Sequence, residues 1–406
     1  MDIQKILRLD DTAVDLAGKY QKKRFAWNAL DKLEGRPFVL LIGPRGAGKS
    51  VLLRQLRSSK KHSLYLSADT LDPETRLEEL LPRLNAAYGI QNFFIDEIHF
   101  LKTFPASLKE LHDFSSLKIW CSSSAAVSLH ESAYDLSRRV QTEFLHPFSF
   151  REYLYFHRDQ KLAALSLESV FQADIPSEYL RNSVYFQDYL EGGLYPASLE
   201  PGFGSQQFTG ILKKIIHSDI PACAAGLKID QLLQLEKIMR FIGKSSVDGV
   251  NYSSLSRNIG INKYMAEKLV TLLEQSFLLQ QIFPAGTSVS REPKILMELP
   301  YRLQYSERED CIGGLREDFF ASAMRQHGME FQYAKSTRGS KTPDFLLEID
   351  GVPAILEVGG KGKGRTQFKE VTYEKKIILR DYNHPVVLSG AQNNILEVPL
   401  HCIGFA

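Results

Sequence analysis

Short apolar runs alternate with amphipathic segments over the first third of the chain. The first run is Phe38–Ile42, and further runs with the character of strands cover 62–66, 92–96, 117–121 and 140–145. Segments with apolar residues at helical spacing lie between them, at 50–57, 76–88 and 106–114. Strands that alternate with helices form a parallel sheet covered on both faces. The pattern therefore predicts an α/β domain built on a parallel sheet.

The pattern changes twice after this region. Residues 151–226 are mainly helical, and residues 227–290 contain helix, short helix, tight turn, helix and strand in that order. Residues 291–406 have a mixed pattern, in which a helix at Leu315–His327 is followed by short strands at 331–334, 345–349 and 354–358. The sequence therefore predicts a multidomain α/β chain that ends in an α+β domain.

Length and composition agree with several domains. At roughly 150 residues per domain, 406 residues correspond to two or three. The 50 basic and 48 acidic residues leave a net charge of +2, which excludes a wholly basic coat protein but permits a local basic patch. The four cysteines are too far apart to indicate a metal finger or a disulfide framework, which favours a reducing compartment. We expect a cytoplasmic protein without a membrane partner, since no apolar run reaches membrane length.

Residues 43–50 read GPRGAGKS and match the phosphate-binding pattern G-x-x-x-x-G-K-[ST] at every fixed position. The glycines allow successive backbone N–H groups to face one anion, at the start of a helix. Lys49 would reach the β- and γ-phosphates, and the Ser50 hydroxyl would bind Mg²⁺. The motif therefore predicts ATP and Mg²⁺ as ligands. The predicted nucleotide-binding residues are Gly43, Pro44, Arg45, Gly46, Ala47, Gly48, Lys49, Ser50 and Val51.

A second motif follows the phosphate loop by about fifty residues, where the apolar run 93–95 ends in Asp96 and Glu97. A carboxylate at the end of a strand beside the loop would support the magnesium ion, which is the role we predict for Asp96. Glu97 would orient or deprotonate the attacking water. Together the two motifs predict ATP binding and hydrolysis.

Two further groups are candidates for the same reaction. The strand at 117–121 leads into three serines, and Ser123 would contact the γ-phosphate unless the serines only form a turn. Arg138 and Arg139 would reach the phosphate of a neighbouring subunit and stabilise the transition state, with surface salt bridges as the alternative. An arginine that acts on a neighbour implies a ring or another homo-oligomer.

With these residues assembled, the chain resembles a prokaryotic AAA+-type ATPase family whose members join an N-terminal ATPase core to a C-terminal domain of restriction-nuclease-like fold. The resemblance rests on GPRGAGKS, FFIDEIH, the serines after the fourth strand, and RRVQTEFLHPFSFREYL. Residues 189–193 and 218–220 also resemble the helical part of that family. The resemblance implies a P-loop ATPase core at 1–150, a helical lid at 151–226, a winged helix at 227–290 and a nuclease-like domain at 291–406.

Residues 251–269 have the spacing of a helix–turn–helix unit, with Gly260 at the bend and Asn262 as the cap of the second helix. Lys263, Tyr264 and Lys268 lie on the face opposite the apolar stripe and are candidate DNA contacts. Such units also serve as protein-contact modules within ATPases, so a structural role is the alternative.

The last module carries a carboxylate, a Pro-Asp pair and a later glutamate, which is the pattern of the PD-(D/E)xK nucleases. The corresponding residues are Glu317, Asp344 and Glu357, which would bind Mg²⁺ in a working nuclease. Gly359 stands where the pattern requires lysine, and Lys361 lies about 13 Å from Glu357 along an extended strand. We therefore expect a domain that binds rather than cleaves. Lys363 and Arg365 are further candidate contacts to a phosphate backbone.

The leading hypothesis is a Mg²⁺-dependent ATPase that remodels or moves along DNA, including branched DNA. Two alternatives belong to other classes. One is a nucleotide-gated switch that acts on a protein partner in defence or signalling, and the other is an active metal-dependent DNA nuclease.

Overall fold

The computed structural model describes residues 3–124, 136, 138–224, 226–245, 250–286, 292–334, 343–360, 368, 373–382 and 395–406. The chain divides into two compact units. The first comprises Met1–Pro147, Tyr195–Ala197 and Ile211–Lys228, and the second comprises Phe148–Leu194, Ser198–Gly210 and Ile229–Ala406. The four modules predicted above divide the chain more finely, and their boundaries stay a prediction. Within the described ranges, no helix is both long enough and apolar enough to cross a membrane.

A five-stranded parallel sheet forms the centre of the first unit, as the alternating pattern predicted. Its strands are β1 (Phe38–Ile42), β2 (Ser63–Ser67), β3 (Asn92–Asp96), β4 (Lys118–Ser123) and β5 (Gln141–Phe144). They are arranged in the order β2-β3-β4-β1-β5, and all neighbours run parallel. Every residue of β1 is buried, because this strand lies inside the sheet and is covered on both faces.

Helices pack on the two faces of this sheet. They are α1 (Ile3–Gly18), α2 (Ala26–Asp31), α3 (Lys49–Ser59), α4 (Leu77–Tyr88) and α5 (Phe104–Phe114). Alternate strand residues such as Val39 and Leu41 pack with Leu52, Leu53 and Trp120 in one core cluster. A π-helical turn at Ile215–Asp219 and a short helix at Ile220–Cys223 complete the unit.

Helix α1 was not predicted from the sequence. Its buried stripe consists of Ile6, Asp10, Ala13 and Ala17, so a charged residue interrupts the apolar pattern. Asp10 is buried because Arg57 of α3 donates to both of its carboxylate oxygens, and the backbone N–H of Tyr65 donates to one of them. A buried carboxylate with these partners satisfies its hydrogen-bonding needs within the core.

The second unit begins with helical segments. Its helices include α6 (Phe150–Arg158), α7 (Ile229–Lys244), α8 (Tyr252–Ile259), α9 (Lys263–Gln275) and α10 (Arg308–Gln326), and a further helix covers Ser205–Lys214. Gly260 has a φ of 76° between α8 and α9, and the Asn262 side chain accepts a 2.8 Å hydrogen bond from the Met265 N–H. The predicted turn and cap are therefore present. Strands β6 (Leu279–Ile282) and β7 (Lys294–Met297) follow as an antiparallel pair.

The C-terminal part holds a mixed five-stranded sheet in the order β12-β11-β10-β9-β8. Its strands are β8 (Phe331–Tyr333), β9 (Phe345–Ile349), β10 (Val352–Gly359), β11 (Lys375–Arg380) and β12 (Ile395–Pro399), and the last two were not predicted. The helix predicted at Leu315 begins at Arg308 instead. Gly314 lies inside this helix, where a Cβ would approach the Arg302 side chain to 2.6 Å.

Candidate functional site

The residues of both ATP motifs meet at the carboxyl edge of the parallel sheet. Strand β1 ends at Ile42 before the phosphate loop, and β3 ends at Asp96. Strand β4 pairs with both of them, so its C-terminal serines lie between the two motifs. In parallel α/β sheets this edge is where ligands bind.

The phosphate loop curls at its glycines. Gly46 and Gly48 have φ values of 91° and 89°, a region that side chains disfavour. A Cβ on Gly46 would come within 3.1 Å of the Tyr195 ring, and one on Gly48 within 3.3 Å of Pro196. Arg24 supports the loop from outside by donating a 2.7 Å hydrogen bond to the Ala47 carbonyl. The glycines therefore form a cradle with no room for an added methyl group on the side of Tyr195 and Pro196.

Lys49 is buried at the start of α3, and Ser50 and Val51 lie in the same first turn. The Lys49 ammonium donates to the carbonyl oxygens of Gly43 and Pro44 at 2.8 and 3.0 Å. Burial lowers its pKa, although Glu97 and Asp96 oppose this shift by favouring the charged form. An anion in the loop would offer the ammonium a stronger partner than two neutral carbonyls. The predicted loop residues therefore fit a nucleotide phosphate.

Asp96 is held by two hydroxyl groups. Tyr65 on β2 donates to one carboxylate oxygen at 2.7 Å, and Ser122 on β4 donates to the other. Burial and the charge of Asp96 raise the pKa of Tyr65, so this phenol stays a donor. Asp96 is buried at the C-terminal end of β3, and its role toward a metal ion stays a prediction.

Glu97 follows Asp96 with a φ of 51°, in the left-handed region. Its backbone N–H donates to the Ser122 hydroxyl at 3.1 Å. Its Oε2 accepts hydrogen bonds from the Ser124 N–H at 3.1 Å and from the Ser124 hydroxyl at 2.9 Å. A non-glycine residue in this conformation costs free energy and persists only where the surroundings hold it. These contacts orient the carboxylate expected to act on water.

Sequence reasoning missed the partner of Arg45. This loop residue donates to both carboxylate oxygens of Asp219, at 2.9 and 3.0 Å. Its Nη2 also lies 3.7 Å from Oε1 of Glu97. Burial alone would lower the pKa of Arg45, but Asp219 and Glu97 outweigh it and raise the pKa. Four residues that contact the site were not among the predicted site residues: Tyr65, Ser122, Ser124 and Asp219.

Ser123 points to a different neighbour from the other two serines. Its hydroxyl lies 3.2 Å from Nδ1 of His99, and its carbonyl accepts a 3.3 Å bond from the Gly43 N–H. His99 is buried beside Glu97, and burial lowers its pKa, which favours the neutral ring. Ser123 thus contacts the start of the phosphate loop, and its role toward the γ-phosphate stays a prediction.

The two candidate arginines differ in their surroundings. Arg139 donates to both carboxylate oxygens of Asp113, at 2.9 and 3.1 Å, so it takes part in a salt bridge within the unit. Arg138 is exposed. Their action on a neighbouring subunit stays a prediction.

The candidate DNA contacts lie at the N-terminal end of α9. Tyr264 is 74% exposed, and Lys268 one turn later is also exposed. The Lys263 ammonium lies 2.6 Å from a carboxylate oxygen of Glu292. Lys363 and Arg365 lie outside the described residues.

The candidate nuclease residues occupy the C-terminal sheet and α10. The ammonium of Lys294 on β7 lies 2.6 Å from Glu317, and both side chains are largely buried. Asp344 accepts a 2.9 Å bond from the Val358 N–H, and Glu357 is fully buried on β10. Lys361 is outside the described part of the chain. Within that part, no three histidine, cysteine or acidic side chains are grouped as ligands for a metal.

Comparisons with known proteins agree with the geometry of the first unit. Residues 35–154 match a family model described as an AAA domain, and residues 184–297 match a domain of unknown function, DUF8612. The uncharacterised protein MJ1637 of Methanocaldococcus jannaschii is 27% identical over 93% of this chain and 88% of its own. A solved chain from work on katanin self-assembly is 16% identical, covers 52% of this chain and 79% of its own, and has a TM-score of 0.24. Such a score carries no argument, and the AAA assignment rests on the family model.

Proposed function

We propose that this protein is a Mg²⁺-dependent ATPase that uses ATP hydrolysis to remodel or move along DNA, including branched DNA. One observation carries the ATPase part: the glycine cradle, Asp96 and Glu97 lie together at the carboxyl edge of one parallel sheet. A site of this kind binds the triphosphate, places a metal beside it and directs a carboxylate at water.

The residues have separate tasks in this proposal. Gly43–Val51 cradle the triphosphate, and Lys49 exchanges its two carbonyl partners for phosphate oxygens. Ser50 and Asp96 hold Mg²⁺, which neutralises charge on the phosphates. Glu97 orients the attacking water and accepts its proton, while Ser124 holds the carboxylate.

Hydrolysis by purified variants tests these roles. Lys49→Ala should lose nucleotide affinity, because it removes the buried ammonium beside the phosphates. Glu97→Gln should keep nucleotide affinity and lose turnover by about 100-fold or more, since general-base catalysis supplies factors of this size. Glu78→Gln is a matched control, because Glu78 belongs to a salt bridge with Arg76 in the same unit. Near-normal turnover in both site variants would refute the assignment.

The DNA part of the proposal is supported by α8, α9 and the β6–β7 pair, an arrangement that presents Tyr264 and Lys268 to solvent. Affinity for DNA should fall steeply with salt, because each phosphate contact releases counterions. Lys268→Glu should weaken binding and reduce the salt slope by about one. Undetectable binding of branched, duplex and single-stranded DNA at low salt would contradict this part. A panel of DNA structures tested for stimulation of ATP hydrolysis would identify the preferred partner.

Self-association belongs to the same proposal. Arg138 is the better candidate for an arginine that acts on a neighbouring subunit, since Asp113 already binds Arg139. Mixing Arg138→Ala with Glu97→Gln should restore part of the lost turnover if the arginine acts across subunits. A mixture no more active than its components would contradict action in trans.

A second candidate is a nucleotide-gated switch that acts on a protein partner. Ile229 and Leu233 on α7 favour it, because these apolar side chains are 81% and 52% exposed and lie one turn apart. DNA binding distinguishes the two candidates: a switch of this class would show no stimulation of hydrolysis by any DNA structure.

A further inference from the structure

The guanidinium of Arg45 lies between two carboxylates of the candidate ATPase site. Asp219 accepts hydrogen bonds from both Nε and Nη2 of Arg45, at 2.9 and 3.0 Å. Glu97 is farther away, with Oε1 at 3.7 Å from Nη2. Arg45 therefore makes its closer, bidentate contact with Asp219, which belongs to neither of the two sequence motifs.

Asp219 is fixed in place by its surroundings. Its side chain is 1% exposed and ends the π-helical turn Ile215–Asp219. The short helix Ile220–Cys223 follows at once and packs against Ile98–Phe100, the turn after Glu97. The segment that carries Asp219 thus touches both the phosphate loop and the end of the acidic motif.

The two oxygens of Glu97 have different partners. Ser124 donates twice to Oε2, and Nδ1 of His99 lies 3.4 Å from the same oxygen. Oε1 faces Arg45 at a distance longer than a hydrogen bond. A water in line for attack needs an acceptor on this carboxylate. Ser124 already engages Oε2, which leaves Oε1 to supply that acceptor.

We propose that Asp219 is a positioning residue for hydrolysis, which holds Arg45 away from Glu97 so that Oε1 stays able to accept a proton from water. The proposal rests on the ATPase function proposed above. If Asp219 loses its charge, the nearest anion for the guanidinium is Glu97. Arg45 then closes on Oε1 and occupies the acceptor that the water needs. Asp219 acts through Arg45.

Steady-state kinetics on the full chain test this arrangement. Asp219→Asn should lower kcat by about tenfold or more, because the general base is blocked, while the Kd for a fluorescent ADP analogue changes less than about threefold. Relative to Arg45→Gln alone, the double variant Asp219→Asn/Arg45→Gln should lose no further kcat, since the cation that would block Glu97 is absent from both. If Asp219→Asn fails to fold, Asp219→Ser replaces it, and the same loss of kcat is expected.

Asp10→Asn is the matched control, because Asp10 forms a buried bidentate pair with Arg57 in the same unit and does not face Glu97. It should lower the melting temperature and leave kcat unchanged. A purely structural role for Asp219 would make its variants behave in the same way. A double variant slower than Arg45→Gln by the factor that separates Asp219→Asn from wild type would overturn the proposal.

A crystal structure of Asp219→Asn gives a test that does not require hydrolysis. It should show Arg45 in direct contact with Oε1 of Glu97. An Arg45 that keeps its position or turns to solvent would overturn the positioning role. A wild-type protein that binds ATP without hydrolysing it would instead overturn the proposed ATPase function, and the two failures are therefore distinguishable.

Discussion

His401 makes the stability of the second unit depend on pH. The ring is 1% exposed and lies among the aromatic rings of Phe150, Phe186 and Phe405. Its Nε2 lies 3.3 Å from the Tyr179 carbonyl, and its Nδ1 has no hydrogen-bond partner among the described residues. Protonation would therefore place a charge in an apolar core with one neutral acceptor beside it. Burial lowers the pKa of His401 to about 4, although the Tyr179 carbonyl opposes the shift.

The sign and size of the effect follow from proton linkage. The unfolded chain binds a proton at His401 below about pH 6.5 and the folded chain only below about pH 4, so stability falls as the pH drops through this window. Between about pH 7 and pH 5 this single group removes about 2 kcal/mol from the free energy of unfolding, or about a 20-fold change in the unfolding constant. His327 adds to the loss, because burial also lowers its pKa.

Hydrogen exchange measures this loss where it occurs. Peptides that cover 395–406 should lose about 20-fold protection between about pH 7 and pH 5 after correction for intrinsic rates. His401→Gln keeps a donor for the Tyr179 carbonyl and removes the titration, so its protection should change much less. His62→Asn, at an exposed position of the first unit, should leave the pH response unchanged. An equal pH response in wild type and His401→Gln would refute the reasoning.

Two further predictions concern stability. Gly43→Ala should lower the melting temperature of the first unit by about 3–10 °C, because the new Cβ would lie 2.2 Å from the Leu145 carbonyl oxygen and overpacking typically costs about 1–3 kcal/mol. Tryptophan fluorescence checks this, with Gly18→Ala as the control, since a Cβ there meets nothing within 4 Å. Arg302→Met should lower the free energy of unfolding of the second unit by about 3–5 kcal/mol, because it leaves the buried Asp318 without its cation. Urea unfolding followed by circular dichroism measures the loss, and recovery is expected in Arg302→Met/Asp318→Leu; a single variant as stable as wild type would contradict the argument.

The features predictable from sequence are those that depend on neighbours along the chain. The strand–loop–helix around Gly43–Ser50 combines an apolar run, glycines and a helix within some twenty residues, so its fold follows from local preference and burial. The turn at Gly260 and the cap at Asn262 are local in the same sense. In contrast, the close approach of Gly314 to Arg302 inside α10 is a tertiary contact, which the local pattern does not reveal. The burial of Asp10 within the apolar stripe of α1 likewise depends on its contact with Arg57, which is distant in sequence.

Within the candidate site, strand parity separates what was predictable from what was not. Successive side chains on a strand point to opposite faces, so Ser122 and Ser124 share a direction that Ser123 does not. Strand β4 pairs with β3 such that Cys121 lies opposite Ile95, which brings Ser122 beside Asp96. The alternation alone groups Ser122 with Ser124 on one face of the strand. The pairing with β3 is needed to show that this face, and not that of Ser123, meets Asp96 and Glu97. Asp219 carries no such signal, because it is 174 residues from Arg45 and reaches it only through the folded chain. The position of Asp96 and Glu97 at the end of β3 was therefore predictable, whereas the contacts that orient them depend on tertiary structure.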